Sequence, residues 1–177
     1  MGNFSLLTLT PLSVNALPAE KVPKPLQPWV DWVLEDDTQL HCPFFYNDTK
    51  TKYCAWPSQL NLDIQKQQGK FTSNWQIYNK SYITLPGNPD HWPQNVTVNN
   101  KPALVISYNN NPAIKLDAGH YQIQASFFWD HTPESLAIPT LTGIISVRVL
   151  NKSIAYPTIK NQQLWFNSMF KFLILRR

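Results

Sequence analysis

Two short segments hold the side chains with the widest chemical reach. The first is Pro89-Asp90-His91-Trp92-Pro93, where two prolines prevent strand alternation from deciding which way the tryptophan points. An indole face stacks on the C–H face of a sugar, and Asp90 and His91 can hydrogen-bond its hydroxyls, so Asp90, His91 and Trp92 are candidate ligand-binding residues. The bland alternative is that Trp92 plugs one end of a folded core. The second segment, Trp129-Asp130-His131-Thr132-Pro133-Glu134, places two carboxylates four positions apart. Paired carboxylates are what glycoside hydrolysis requires, so Asp130 and Glu134 are a conceivable acid and base, with His131 beside them. Ordinary solvated loop charges explain the same residues more simply, and Asp130, His131 and Glu134 then count only as ligand-binding candidates.

Cysteine chemistry is the third possibility. Cys42 and Cys54 flank a segment with a turn-forming Asn47-Asp48 between them. A disulfide closing this short loop would contribute about 3 kcal/mol in an oxidising compartment. Two buried thiols remain the alternative. A zinc site needs four ligands, and His41 is the one neighbouring candidate, so no metal is expected. A cysteine nucleophile would need a paired base that the spacing does not reveal.

The elements that carry these segments are strands. Leu60, Leu62 and Ile64 alternate with polar residues, a Gln67–Lys70 turn follows, and Phe71, Trp75 and Ile77 then share one face, which spells a hairpin. Tyr82–Leu85 is a short strand closed by Pro86-Gly87. Val96 and Val98 lead into Asn99-Asn100, a pair tolerant of the left-handed turn conformation, and Ala103–Tyr108 returns. Asn109–Pro112 turns again, Ala113–Leu116 pairs, and Asp117-Ala118-Gly119 turns once more. Tyr121, Ile123, Ala125, Phe127 and Trp129 then line one face of a long strand, with His120, Gln122, Gln124 and Ser126 opposite; Ile145, Val147 and Val149 repeat the pattern. By that parity Trp75 and Trp129 belong to the core and Phe128 faces outward. Many short strands without a parallel βαβ rhythm make an all-β, jelly-roll-like β-sandwich. Ahead of it, Pro25–Leu34 has helical spacing and reads as a short helix whose Trp29 and Trp32 dock on the core.

Composition narrows the function classes. The chain has 177 residues, 15% of them charged and 13% aromatic, with five glycines against fifteen prolines and a net charge of +4. That is one domain's worth of chain with enough apolar content for a core. No Gly-rich phosphate loop occurs, and no cofactor is expected. Lysines are scattered without the aromatic pattern of a nucleic-acid surface, so nucleic acid is not an expected partner. No run of about eighteen apolar residues exists to span a membrane as a helix. Phe4–Val14 is an apolar run of signal-peptide length, and Val14-Asn15-Ala16 is a small-x-small step, although no Lys or Arg precedes Lys21. Residues 1–22 are therefore an export-signal remnant or an extended arm. Residues 23–166 form the sandwich domain, and 167–177 are an apolar, basic tail that is either a last core strand or a truncation point.

Several stretches carry a resemblance. The segments PLQPWVDWVLEDD, CPFFYND, CAWPSQLNLDI, LPGNPDHWPQNVTVNNKPA, LDAGHYQIQASFFW and PESLAIPTLTGIISVRV resemble the N-terminal region of long, uncharacterised envelope proteins of Gram-negative bacteria, over about residues 23–166. The resemblance implies export to the periplasm or cell envelope and brings no catalytic residues with it. More loosely, LDAGHYQIQASF is similar to galactose-binding-type jelly-roll modules. The expected function is a non-catalytic interaction module of an envelope protein, binding glycan or another envelope protein. The alternatives are a glycan-active hydrolase using the loop carboxylates, or a structural domain packing on more of its own chain.

Overall fold

The computed structural model describes residues 21–30 and 41–166. The chain divides into two compact units, Met1–Leu40 and His41–Arg177. In the first, a 3-10 turn over Lys24–Leu26, with a proline in its first positions, runs into helical residues 27–30. This is the expected short N-terminal helix. Trp29 within it is 58% exposed rather than buried. Trp32 to Leu34, the export-type segment and the 167–177 tail lie outside the described residues.

The second unit is all β. Its strands are β1 (Phe44–Phe45), β2 (Asp48–Lys52), β3 (Ala55–Ile64), β4 (Gln68–Ile77), β5 (Ser81–Thr84), β6 (Gln94–Val98), β7 (Lys101–Pro102) and β8 (Ile106–Tyr108). They continue with β9 (Asn111–Leu116), β10 (Gly119–Phe128), β11 (Ser135–Ala137), β12 (Ile144–Val149), β13 (Lys152–Ile154), β14 (Thr158–Lys160) and β15 (Gln163–Trp165). A seven-stranded sheet runs β13-β12-β3-β4-β10-β6-β7. Two three-stranded sheets, β5-β9-β8 and β11-β15-β14, supply the other layer. One apolar cluster joins them: Leu60, Phe71, Ile123, Phe127 and Val147 of the large sheet pack with Ile83 and Ile114 of one small sheet and Leu136 and Leu164 of the other. That shared core makes the unit a sandwich.

Alternation explains the large sheet. Each of β3, β4 and β10 is ten residues long and buries every second side chain along most of its length. The expected hairpin pairs Ile64 with Gly69 and Leu62 with Phe71, turning at Gln65–Gln68, two residues earlier than the Gln67–Lys70 expected. Ser73 is a polar residue on the buried face, and it accepts the Trp75 indole N–H at 3.0 Å, so neither polar group is stranded. Trp75 is core, as its parity requires, while Phe128 is 53% exposed.

Four hairpins turn on two residues with positive φ: Asn99-Asn100, Asn109-Asn110, Leu150-Asn151 and Asn161-Gln162. Asparagine supplies the left-handed conformation that this glycine-poor chain cannot take from glycine. Of the expected Ala103–Tyr108 strand only Ile106–Tyr108 (β8) forms, and the strand that returns beside β6 is β7, just ahead of it and in a different sheet from β8. In the large sheet β12 runs parallel to β3.

Cys42 and Cys54 are joined by a disulfide. It closes the β1–β2 hairpin, whose tip is set by Asn47 at φ 79° and by Asp48. Hydrogen bonds from the Thr51 hydroxyl and the Lys50 and Thr51 amides hold the Asp48 carboxylate below its ordinary pKa. Phe45, Tyr53 and Trp56 cluster beneath, with ring centroids 5.6 to 6.3 Å apart. Reduction should add two hydrogens to the intact mass and lower the melting temperature, since about 3 kcal/mol of loop-closure restraint is released. Two freely alkylated thiols in the untreated protein would contradict the bridge.

Candidate functional site

The two loops singled out in the sequence meet at one end of the sandwich. Asn88-Pro89-Asp90-His91 makes a tight turn in which the Asn88 and His91 backbones pair in both directions, at 3.3 and 3.1 Å. Asn88 Oδ1 also accepts the His91 amide N–H at 2.8 Å and lies 3.2 Å from His91 Nδ1. Gly87 precedes the turn at φ 113°, where a side chain would run into the His91 carbonyl. The Gly87 amide donates to the Ala137 carbonyl at 2.9 Å, tying this loop to β11.

Trp129 links this loop to the second. Its indole stacks on Phe127 at 6.1 Å and meets the His91 ring edge-on at 6.4 Å. The indole N–H donates to the Lys66 carbonyl at 3.1 Å. The Thr132 hydroxyl donates to the same carbonyl at 2.9 Å, so the 129–134 loop is pinned to the β3–β4 turn. Trp129 lies against Gly69, where an added Cβ would stand 2.5 Å from the ring. Gly69 occupies an inward position between Ile64 and Phe127, so the indole fills the volume of a missing side chain. Trp129 is thus half-buried at the mouth of the core rather than fully within it.

An open cleft of about 940 Å³ lies beside this indole, lined by Gln65, Lys66, Gln68, Phe128, Trp129 and Asp130. Among the predicted residues, Asp130 lines the cleft and His91 touches its wall through Trp129. Asp90, His131 and Glu134 are exposed, and Trp92 is half-buried, between the platform and the plug that the sequence allowed. Among the described residues no group of three His, Cys, Asp or Glu is arranged to hold a metal ion. Sequence reasoning passed over Gln65, Lys66 and Gln68, because a polar turn gives no signal of what will fold over it.

No protein-family model matches the chain, and no curated protein matches its sequence. Among solved structures, the M1 zinc metallopeptidase from Deinococcus radiodurans is similar over 64% of this chain and 38% of that one, at 9% identity and a TM-score of 0.37. Legionella pneumophila aminopeptidase A in complex with aspartic acid is similar over 57% and 16%, at 7% identity and a TM-score of 0.39. This chain therefore spans well under half the length of either one, and similarity at this level carries no argument for function.

The contact between Gly69 and Trp129 gives a direct test of the site's construction. Gly69→Ala should force the indole outward, costing about 1–3 kcal/mol of stability. The Trp129 indole N–H resonance should shift as its bond to Lys66 is lost. An unmoved resonance and an unchanged unfolding midpoint would show that the indole does not occupy this space.

Proposed function

We propose that the sandwich is a non-catalytic interaction module of a Gram-negative envelope protein, taking its ligand at the loop end beside Trp129. The observation that supports this reading most is the Trp129 clamp. Through Phe127 and the Lys66 carbonyl it holds the 129–134 loop on the β3–β4 turn beside an open cleft that offers an aromatic surface, amides, the Lys66 ammonium and one carboxylate, with His91 against the indole from the other loop. Such a set recognises hydroxyl-rich or peptide surfaces by stacking and hydrogen bonding. Binding rather than hydrolysis is favoured because Asp130 and Glu134 are both solvent-exposed. Glycosidase carboxylates flank the scissile bond as a pair, whereas of these two only Asp130 lines the cleft. The disulfide supports export, since such bridges persist in oxidising compartments such as the periplasm. Among the described residues no helix is long and apolar enough to cross a membrane.

The protein should co-sediment with purified cell-wall sacculi, or hold a defined envelope protein in a pull-down, without releasing reducing ends from the polysaccharide. Asp130→Ala should weaken that association while leaving the melting temperature in place. Reducing-end release abolished by Asp130→Asn or Glu134→Gln would instead establish a hydrolase. Retention by neither envelope fraction would contradict the interaction role.

A further inference from the structure

We propose that the outward face of the seven-stranded sheet binds a linear, uncharged glycan, laid across β3, β4 and β10 toward the end cleft. This inference rests on the interaction-module reading and supplies its ligand class and binding path.

The register places outward residues in rows. Trp56, Gln76 and His120 form the first; Gln59, Asn74 and Gln122 the second; Asn61, Thr72 and Gln124 the third. The fourth row, Asp63, Lys70 and Ser126, carries charge, and Arg148 lies 3.8 Å from Asp63 at its edge. Gln68 and Phe128 close the face. Solvated sheet faces are ordinarily rich in charge, which keeps them soluble and unpaired. Here the second and third rows hold amides and one hydroxyl, with no charge at all.

These amides are organised. Gln59 donates to Asn61 at 3.2 Å, Asn74 donates to Gln59 at 3.4 Å, and Gln124 donates to Gln122 at 2.9 Å. Each amide has two N–H donors and an oxygen with two lone pairs, so one internal bond, or two at Gln59, leaves capacity on every side chain. A sugar hydroxyl likewise donates and accepts, and an array of half-held amides matches it with little rotamer freedom left to lose. Neighbouring strands place equivalent side chains about 4.8 Å apart, a spacing on the scale of one sugar ring. On the second and third rows the ligand meets no full charge that would have to be stripped of water.

The relief of the surface points the same way. A shallow depression of about 360 Å³ bordered by Asn74, Gln76, His120 and Gln122 lies on the first two rows. A second, of about 410 Å³, is bordered by Asp63, Lys70, Gln65 and Gln68. Gln65 and Gln68 also line the end cleft, so the two hollows share a border. Phe128, more than half exposed, stands where a sugar leaving the sheet would find an apolar surface.

The experiment is an NMR titration of the isotope-labelled protein with maltoheptaose, cellohexaose and xylohexaose separately. At least one should shift the side-chain amide signals of Gln59, Asn74 and Gln122, with a dissociation constant of about 0.1–1 mM that does not change with added salt. Asn74→Ala combined with Gln122→Ala should weaken it about tenfold or more. Gln122→Glu, a change at an exposed position that introduces charge, should weaken it without disturbing the fold. Shifts confined to Lys66, Trp129 and Asp130 would overturn the sheet path and leave cleft binding standing. No shift with any of the three oligosaccharides would overturn the ligand class, while association with sacculi or an envelope protein would still judge the module itself. Affinity that falls steeply with salt would overturn uncharged recognition.

Discussion

The register of β3, β4 and β10 is the constraint on which the rest of the molecule depends. These strands pair along nearly their whole length, and their alternation sends Leu60, Phe71, Ile123 and Phe127 inward and Gln59, Asn74, Gln122 and Gln124 outward. A slip of one residue would exchange the two sets. Each buried amide left without a partner costs about 1–3 kcal/mol, and several would be buried at once. The apolar face and the amide face are therefore one specification. The same parity that builds the core lays out the surface proposed to bind glycan.

Two local devices make that register compatible with a closed end. Gly69 leaves a gap in the inward row, and Trp129, arriving from beyond the end of β10, fills it. The indole thereby brings the β3–β4 turn, the 129–134 loop and His91 into contact. Tight turns with left-handed residues then return the chain quickly. Leu150 is the costly member, since a branched residue at positive φ is strained by roughly 1–3 kcal/mol. Its side chain packs against the core cluster, which offsets that strain.

Much of this was legible in the sequence. Strict alternation announced the β3–β4 hairpin, β10 and β12, and paired asparagines announced two of the turns. The sandwich and the disulfide follow from those same signals and the cysteine spacing. Other features left no local trace. The parallel pairing of β12 with β3 depends on a long connection, and alternation is blind to strand direction. Leu150-Asn151 does not read as a turn because leucine ordinarily avoids the conformation that packing imposes on it. At the site, parity placed Trp129 on the apolar face but could not say that it would stop half-buried, since that depends on a glycine sixty positions upstream. The prolines around Trp92 hid its orientation altogether. Gln122 and Gln124 were visible as a polar face, but their alignment with Gln59 and Asn74 exists only once the strands are paired.

Urea unfolding of Phe127→Ala beside Gln124→Ala tests the shared register most directly. The first removes a ring from the centre of the core and should cost about 3–5 kcal/mol. The second, three residues away on the opposite face, should cost less than about 1 kcal/mol. Equal losses, or a larger loss for Gln124→Ala, would mean that the strands do not present these faces, and both the core and the amide surface would have to be redrawn.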